Sequence, residues 1–228
     1  MRHAFKLLES QRGTAYRLRF NRDAEASRDK NLDNDSPFEN DPENGEIVVP
    51  PSGAVIFPGS FDPLHRGHER MAKIAALRLG KPVDLEISAA NVDKPTLSAD
   101  ELQRRLSRLT RPTQLSDITI WITLAATFAE KANIFPEATF IVGADTIRRI
   151  ADAQYYDHDP AKMSASIRRI ADRGARFLVF GRVDLMDKSP DSEFQSLDEI
   201  ALPEELRAIC DSVDESEFRE DVRSRDLR

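Results

Sequence analysis

The order of apolar and polar positions divides the chain into a weakly patterned start, a long run of alternating strand and helix signals, and a polar end. Residues 14–20 (Thr-Ala-Tyr-Arg-Leu-Arg-Phe) alternate as a half-buried strand does, whereas the Asn- and Asp-rich stretch over 28–45 has little to bury. This predicts an isolated strand, then a flexible linker, with Pro50-Pro51-Ser52-Gly53 marking the entry to the folded domain. Apolar runs at 54–57, 83–87, 118–122, 139–142 and 176–180 read as five strands. In the second, Asp84 and Glu86 alternate with Val83, Leu85 and Ile87, which predicts one wet side; the fourth is continuous enough to be buried on both faces.

Helical patterns fall between these strands. One follows residue 66 with Met71, Ile74, Ala75, Leu77 and Leu79 as its buried face and stops at Gly80-Lys81-Pro82. Ser98 and Glu101 form the capping box of a second, running to about Leu109, and a third spans 124–133. A fourth opens at Gly143-Ala144-Asp145-Thr146, and a fifth is started by Asp159-Pro160 and closed by Gly174. Beyond Val183 one helix is expected, over 203–209. Strands alternating with helices predict an α/β fold: a Rossmann-like open parallel sheet with helices on both faces, over residues 53–228. Residues 1–52 form an N-terminal extension, and an acidic segment ends the chain.

Composition narrows the function. With 228 residues and 40% hydrophobic content the chain can build one ordinary core with extensions. The net charge of −7 is uneven: residues 1–52 carry 8 Lys+Arg against 10 Asp+Glu, residues 53–183 carry 19 against 15, and residues 184–228 carry 6 against 15. A mildly basic middle suits a small polyanion such as a nucleotide, while an acidic whole argues against a nucleic acid partner. One cysteine, Cys210, allows no internal disulfide, and no apolar run suggests a membrane span or signal peptide, so a reducing cytoplasm is expected.

The chemistry concentrates in residues 54–68, Ala-Val-Ile-Phe-Pro-Gly-Ser-Phe-Asp-Pro-Leu-His-Arg-Gly-His. Apolar residues run into a Gly/Pro loop and then into two histidines at the start of a helical pattern. That order predicts strand, phosphate loop and helix. Gly59 permits a sharp turn that brings amides to an anion, and a helix opening near Arg66 aims free N–H groups and a positive dipole end at the same place. His65 and His68 share one face of the first turn, with Gly67 between them leaving room. A second cluster, Gly143-Ala144-Asp145-Thr146, also follows a strand; there Gly143 permits close approach of a base or ribose, and Asp145 offers a carboxylate to hydroxyl or amino groups or caps the helix. Lys94 is the cation of the loop after the second strand, at the sheet end that lines the crevice.

The stretch Gly59-Ser60-Phe61-Asp62-Pro63-Leu64-His65-Arg66-Gly67-His68 resembles the G-x-F-D-P-x-H-x-G-H signature of the nucleotidylyltransferase superfamily. Within it the chain is most similar to nicotinamide or nicotinate mononucleotide adenylyltransferases, and Phe140 to Asp145 resembles the nucleotide-contacting G-A-D segment of the same family. The resemblance implies that His65, His68, Lys94 and Arg228 carry the reaction, and that Gly59, Ser60, Phe61, Gly67, Gly143, Asp145, Arg182 and Ser224 bind nucleotide. It also implies an aromatic near Tyr155, Tyr156 and His158 against the acceptor ring. Residues 222–228 resemble the second family signature, I-S-S-T-x-I-R, with Val222, Ser224, Leu227 and Arg228 matching and Arg223 and Arg225 standing for a Ser and the Thr. Hydroxyl donors are lost there and positive charge is gained.

The implied reaction moves AMP from ATP to a mononucleotide phosphate, with Mg²⁺ carried by the triphosphate and no metal held by a Cys/His cluster. The nucleophile is already an anion, so no general base is required. The partners are a nucleotide and a phosphorylated acceptor, with neither nucleic acid nor membrane; the oligomeric state, a homo-oligomer included, stays open. Three alternatives remain: cytidylyl transfer to an alcohol phosphate, a nucleotide-binding module with impaired catalysis, and a protein-binding scaffold.

Overall fold

The computed structural model describes residues 6, 8–9, 13–20, 46–90, 92, 96–109, 118–183 and 194–219. Their strands are β1 (Ala15–Phe20), β2 (Glu46–Val48), β3 (Val55–Pro58), β4 (Val83–Ser88), β5 (Ile118–Thr123), β6 (Thr139–Gly143), β7 (Arg176–Phe180), β8 (Arg182–Val183), β9 (Phe194–Gln195) and β10 (Cys210–Val213). The helices are α1 (Arg66–Leu79), α2 (Ala99–Leu109), α3 (Phe128–Ile134), α4 (Ala144–Ile150), α5 (Pro160–Asp172) and α6 (Glu204–Arg207). Eight strands form one sheet in the order β10-β7-β6-β3-β4-β5-β1-β2, and β8 and β9 pair as a small ribbon. From β10 to β5 every pairing is parallel.

Helices cover both faces, as expected of a parallel sheet. Val55, Phe57, Leu85, Ile87, Ile120, Ile141, Leu178 and Phe180 turn to one side and meet Ala72 and Ala75 of α1 and Leu102 and Leu106 of α2. Ile56, Trp121, Phe140, Val142, Phe177 and Val179 turn to the other, against α3, Ile147 of α4, Ile167 and Ile170 of α5 and Leu206 of α6. The apolar residues alternate between the two cores because side chains on a strand alternate faces. Local caps fix the helix ends: Glu101 N–H donates to Ser98 Oγ at 3.2 Å, and Gly80 closes α1 at φ +63°, where a side chain would be strained.

Several expectations are corrected. The leading strand is not isolated, since β1 pairs antiparallel with β5 and β2 with β1, and Tyr16 and Leu18 are buried in the same core as Phe57 and Ile87. Residues 28–45, read as a linker, lie outside the described residues. Leu77, assigned to the buried face of α1, is 86% exposed. The side of β4 read as wet is closed at Glu86, which is 0% exposed, whereas Asp84 is half-buried and accepts a hydrogen bond from Trp121 Nε1 at 2.8 Å, with burial pushing its carboxyl up from the usual range. The third helix begins at Phe128, because Thr127 caps it by accepting from Glu130 N–H, which leaves residues 124–127 as a loop. The acidic end supplies a sixth parallel strand, β10, at the sheet edge.

This end is fastened to α1. Arg70 donates to the backbone carbonyls of Glu217 and Arg219 and lies over the Phe218 ring, which packs edge-on against Phe180. Arg78 donates to the Ser212 carbonyl at 2.7 Å. Since β1 shares the main core, Leu18→Ala is expected to lower the unfolding free energy of the whole domain by about 2–4 kcal/mol in urea denaturation. An unchanged midpoint would show that β1 is an appendage.

Candidate active site

From β3 the chain builds outward to β4 and β5, then crosses back to place β6 on the other side of β3. The sheet order therefore reverses between β3 and β6, and their carboxyl ends flank a crevice, the place where open α/β sheets take their ligands. Both predicted clusters sit there: the Gly59–His68 turn after β3, and Gly143 with Asp145 after β6.

The turn is built around one ring. His68, in the first turn of α1, packs edge-on against Phe57 and Phe61 with centroids 5.8 and 5.3 Å away, and its other neighbour is His65, stacked at 3.8 Å with 27° between planes. Phe61 reaches this position at φ +42° and is 1% exposed. It lies beneath the loop and supports His68 rather than forming the loop's surface. The glycine requirement at 59 follows, since a Cβ there would come within 2.7 Å of the Phe61 ring. The Gly59 amide, expected to face an anion, instead donates to the Glu86 carbonyl at 2.9 Å.

Burial, and then the nearby His65, push His68 down to about 3, so its ring is neutral at ordinary pH. The His65 backbone N–H donates to its Nδ1 at 3.3 Å, so the proton sits on Nε2 and the ring offers one N–H donor. His65 is the N-cap residue of α1 and lies before the helix rather than in its first turn. Gly67 is buried, and Ser60 is exposed on the loop. At 14 residues α1 is long enough to add a positive dipole end at this spot.

Across the crevice, Gly143 is the N-cap of α4 and, among the described residues, nothing lies within 4 Å of where its Cβ would be, so these leave room for a ligand against the backbone. Asp145 does not cap the helix; it stands in its first turn, exposed, with Arg148 at 3.7 Å. Arg182 begins the β8 ribbon after β7. Lys94, Ser224 and Arg228 lie outside the described residues. Next to the crevice, Thr127, Phe128, Thr146, Arg149, Tyr155 and Tyr156 line a cavity of about 200 Å³.

Some participants carry no signal of their own in the sequence. Arg108 donates to Asp62 at 2.7 Å, so the last turn of α2 holds the loop, whereas Arg104 and Arg105 pair with Glu101 on their own helix. The buried Glu86–Lys131 pair was also unforeseen. Among the described residues no group of three or more His, Cys, Asp or Glu side chains could hold a metal ion, and no helix is long and apolar enough to cross a membrane.

An open sheet with helices on both faces and this turn at its switch point is a Rossmann-like nucleotidyltransferase fold. The chain matches the cytidylyltransferase-like family over residues 56–226 and belongs to it, which suggests nucleotidyltransferase activity. The match leaves out β1 and β2. No curated protein matches the chain.

The depressed His68 value has a consequence for stability. An unfolded His68 takes up a proton near its ordinary value of 6.5, and the folded one does not until about 3. Stability is therefore full above 6.5 and falls as the pH drops toward 3, by up to about 1.4 kcal/mol per pH unit from this group. In urea denaturation from about pH 6.5 to about pH 5, the parent is expected to lose stability more steeply than His68→Asn. Parallel slopes would mean that the ring is solvated.

Proposed function

We propose that the chain is a nucleotidylyltransferase that moves AMP from ATP to the phosphate of a mononucleotide, nicotinamide or nicotinate mononucleotide, and releases pyrophosphate. The observation that carries this reading is His68: a neutral, half-buried imidazole with one N–H donor, held by Phe57, Phe61 and His65 at the start of α1.

In this reaction an acceptor phosphate oxygen attacks the α-phosphorus of ATP, the bond to the β-phosphate oxygen breaks, and pyrophosphate leaves with that electron pair. No proton has to be removed from the nucleophile, so positioning and charge stabilisation supply the rate. The His68 Nε2–H and the α1 dipole stabilise the negative charge that grows on the α-phosphate, and a donor fixed in place is worth more there than one that must reorient. The Arg108–Asp62 pair keeps the loop in position. The space beside Gly143 receives the adenosine, with Asp145 on its hydroxyl or amino groups. Phe128, Tyr155 and Tyr156 suit the planar ring of the acceptor, and Arg149 suits its negative charge. Ser60 is exposed on the loop and available to phosphate, the buried Gly67 serves the packing of the turn, and Lys94, Arg182, Ser224 and Arg228 are assigned the remaining phosphate contacts. Magnesium would enter with the triphosphate and would offset the charge of its phosphates.

Membership of the cytidylyltransferase-like family equally favours a second reading, cytidylyl transfer from CTP to an alcohol phosphate. The two separate in one experiment: pyrophosphate release from ATP or CTP with nicotinamide mononucleotide, nicotinate mononucleotide or an alcohol phosphate. Release from ATP with a pyridine mononucleotide is expected; release only from CTP moves the assignment to the second reading, and none with any pair removes both. In the productive pair, His68→Ala is expected to lower kcat by at least ~10²-fold with the fold retained by circular dichroism. Near-parental turnover would remove His68 from the chemistry.

A further inference from the structure

The reaction described above makes no use of the most deeply buried charges among the described residues. Glu86 on β4 is 0% exposed and Lys131 on α3 is 5% exposed. Lys131 Nζ donates to both carboxylate oxygens of Glu86, at 2.8 and 2.7 Å. Thr123 Oγ1 donates to the same carboxylate at 2.6 Å and accepts from the Ala125 N–H at 3.2 Å, while Ser88 Oγ donates to the Ala125 carbonyl at 2.6 Å. The Glu86 carboxylate is thus the centre of a network that reaches from the middle of the sheet into the loop over 124–127.

Burying an ion pair is a poor way to gain stability. Desolvation cancels most of the attraction, and apolar residues of similar volume often serve a core as well or better. An ion pair supplies direction instead: two charge-assisted hydrogen bonds fix where the lysine sits, whereas apolar surfaces can slide. Lys131 N–H donates to the Thr127 carbonyl at 2.9 Å, so Lys131 belongs to the first turn of α3. That turn and the loop before it, through Ala126, Thr127 and Phe128, form one wall of the aromatic cavity. On its other side Glu86 accepts the Gly59 N–H, but through its main-chain carbonyl, a link that survives replacement of the side chain.

We infer that Glu86 and Lys131 are positioning residues for the acceptor side of the crevice: their buried pair sets the place of α3 and of residues 124–127, and so the shape of the cavity lined by Phe128 and Tyr155. The inference rests on the transfer reading, and it makes a one-sided demand. Loss of the pair disturbs the acceptor and leaves the nucleotide side as it was.

The test uses the whole chain with Glu86→Gln, Lys131→Met, Lys131→Arg, and the double variant Glu86→Leu/Lys131→Met. Glu86→Gln and Lys131→Met are each expected to lose stability because one charge stays buried alone, and the double variant to recover it. In the double variant the KM for the acceptor is expected to rise about tenfold or more, while the KM for the nucleoside triphosphate stays within about twofold. Lys131→Arg, which keeps the pairing, is expected to hold the acceptor KM near that of the parent. A parental acceptor KM in a stable double variant, or an equal rise in both KM values, would overturn the inference. Where the double variant fails to fold, the same comparison on Glu86→Gln decides. A parent that releases no pyrophosphate with any pair defeats the transfer reading alone; amide hydrogen exchange then decides the positioning role. Faster exchange at Ala125, Thr127 and Phe128 in these variants supports the role, and unchanged exchange overturns it.

Discussion

A neutral imidazole wedged among aromatic rings is the constraint on which the site depends. For the His68 ring to be held in place, Phe61 must fold back under the loop at positive φ, and for Phe61 to lie there residue 59 can carry no side chain. His65 must then stack on the His68 ring and present its backbone N–H to Nδ1. The signature residues are therefore as much a packing unit as a set of ligands. Only when they are assembled does a histidine at a helix start become a fixed, uncharged donor rather than a solvated base.

The second condition is topological. The turn after β3 and the turn after β6 face each other because the chain crosses over after β5, and a sheet built by simple addition of strands would keep them apart. The long-range contacts of the site serve that arrangement. Arg108 reaches from α2 to Asp62, Arg70 and Arg78 bind the acidic end to the helix that His65 caps, and Glu86 joins β4 to α3. Each joins elements far apart in sequence.

Much of this was readable from residue order. The five core strands fall close to where the apolar runs put them, because both faces of a parallel sheet are buried and the runs are continuous. The helix starts at Ser98 and Asp159 were legible because capping is a local interaction. Other elements left no such trace. β10, Cys-Asp-Ser-Val, buries only Val213, so at the sheet edge it shows neither alternation nor a continuous run. Glu86 looked like a solvent-facing residue because the lysine that neutralises it lies 45 positions away. Leu77 looked buried because its spacing fits the face of α1, but among the described residues it stays 86% exposed.

By itself, then, the sequence determined the local physics: which segments become strands or helices, where caps and turns fall, and that a glycine loop with paired histidines precedes a helix. The tertiary structure alone decided which residues of that loop lie at its surface and which support it from below, that the Gly59 amide is already engaged, that β1 extends the main sheet, and that a buried carboxylate ties β4 to α3. The division has a physical cause. Caps, turns and periodicity depend on neighbours within a few residues, whereas desolvation, ion pairing and strand order depend on partners that only the folded chain brings together.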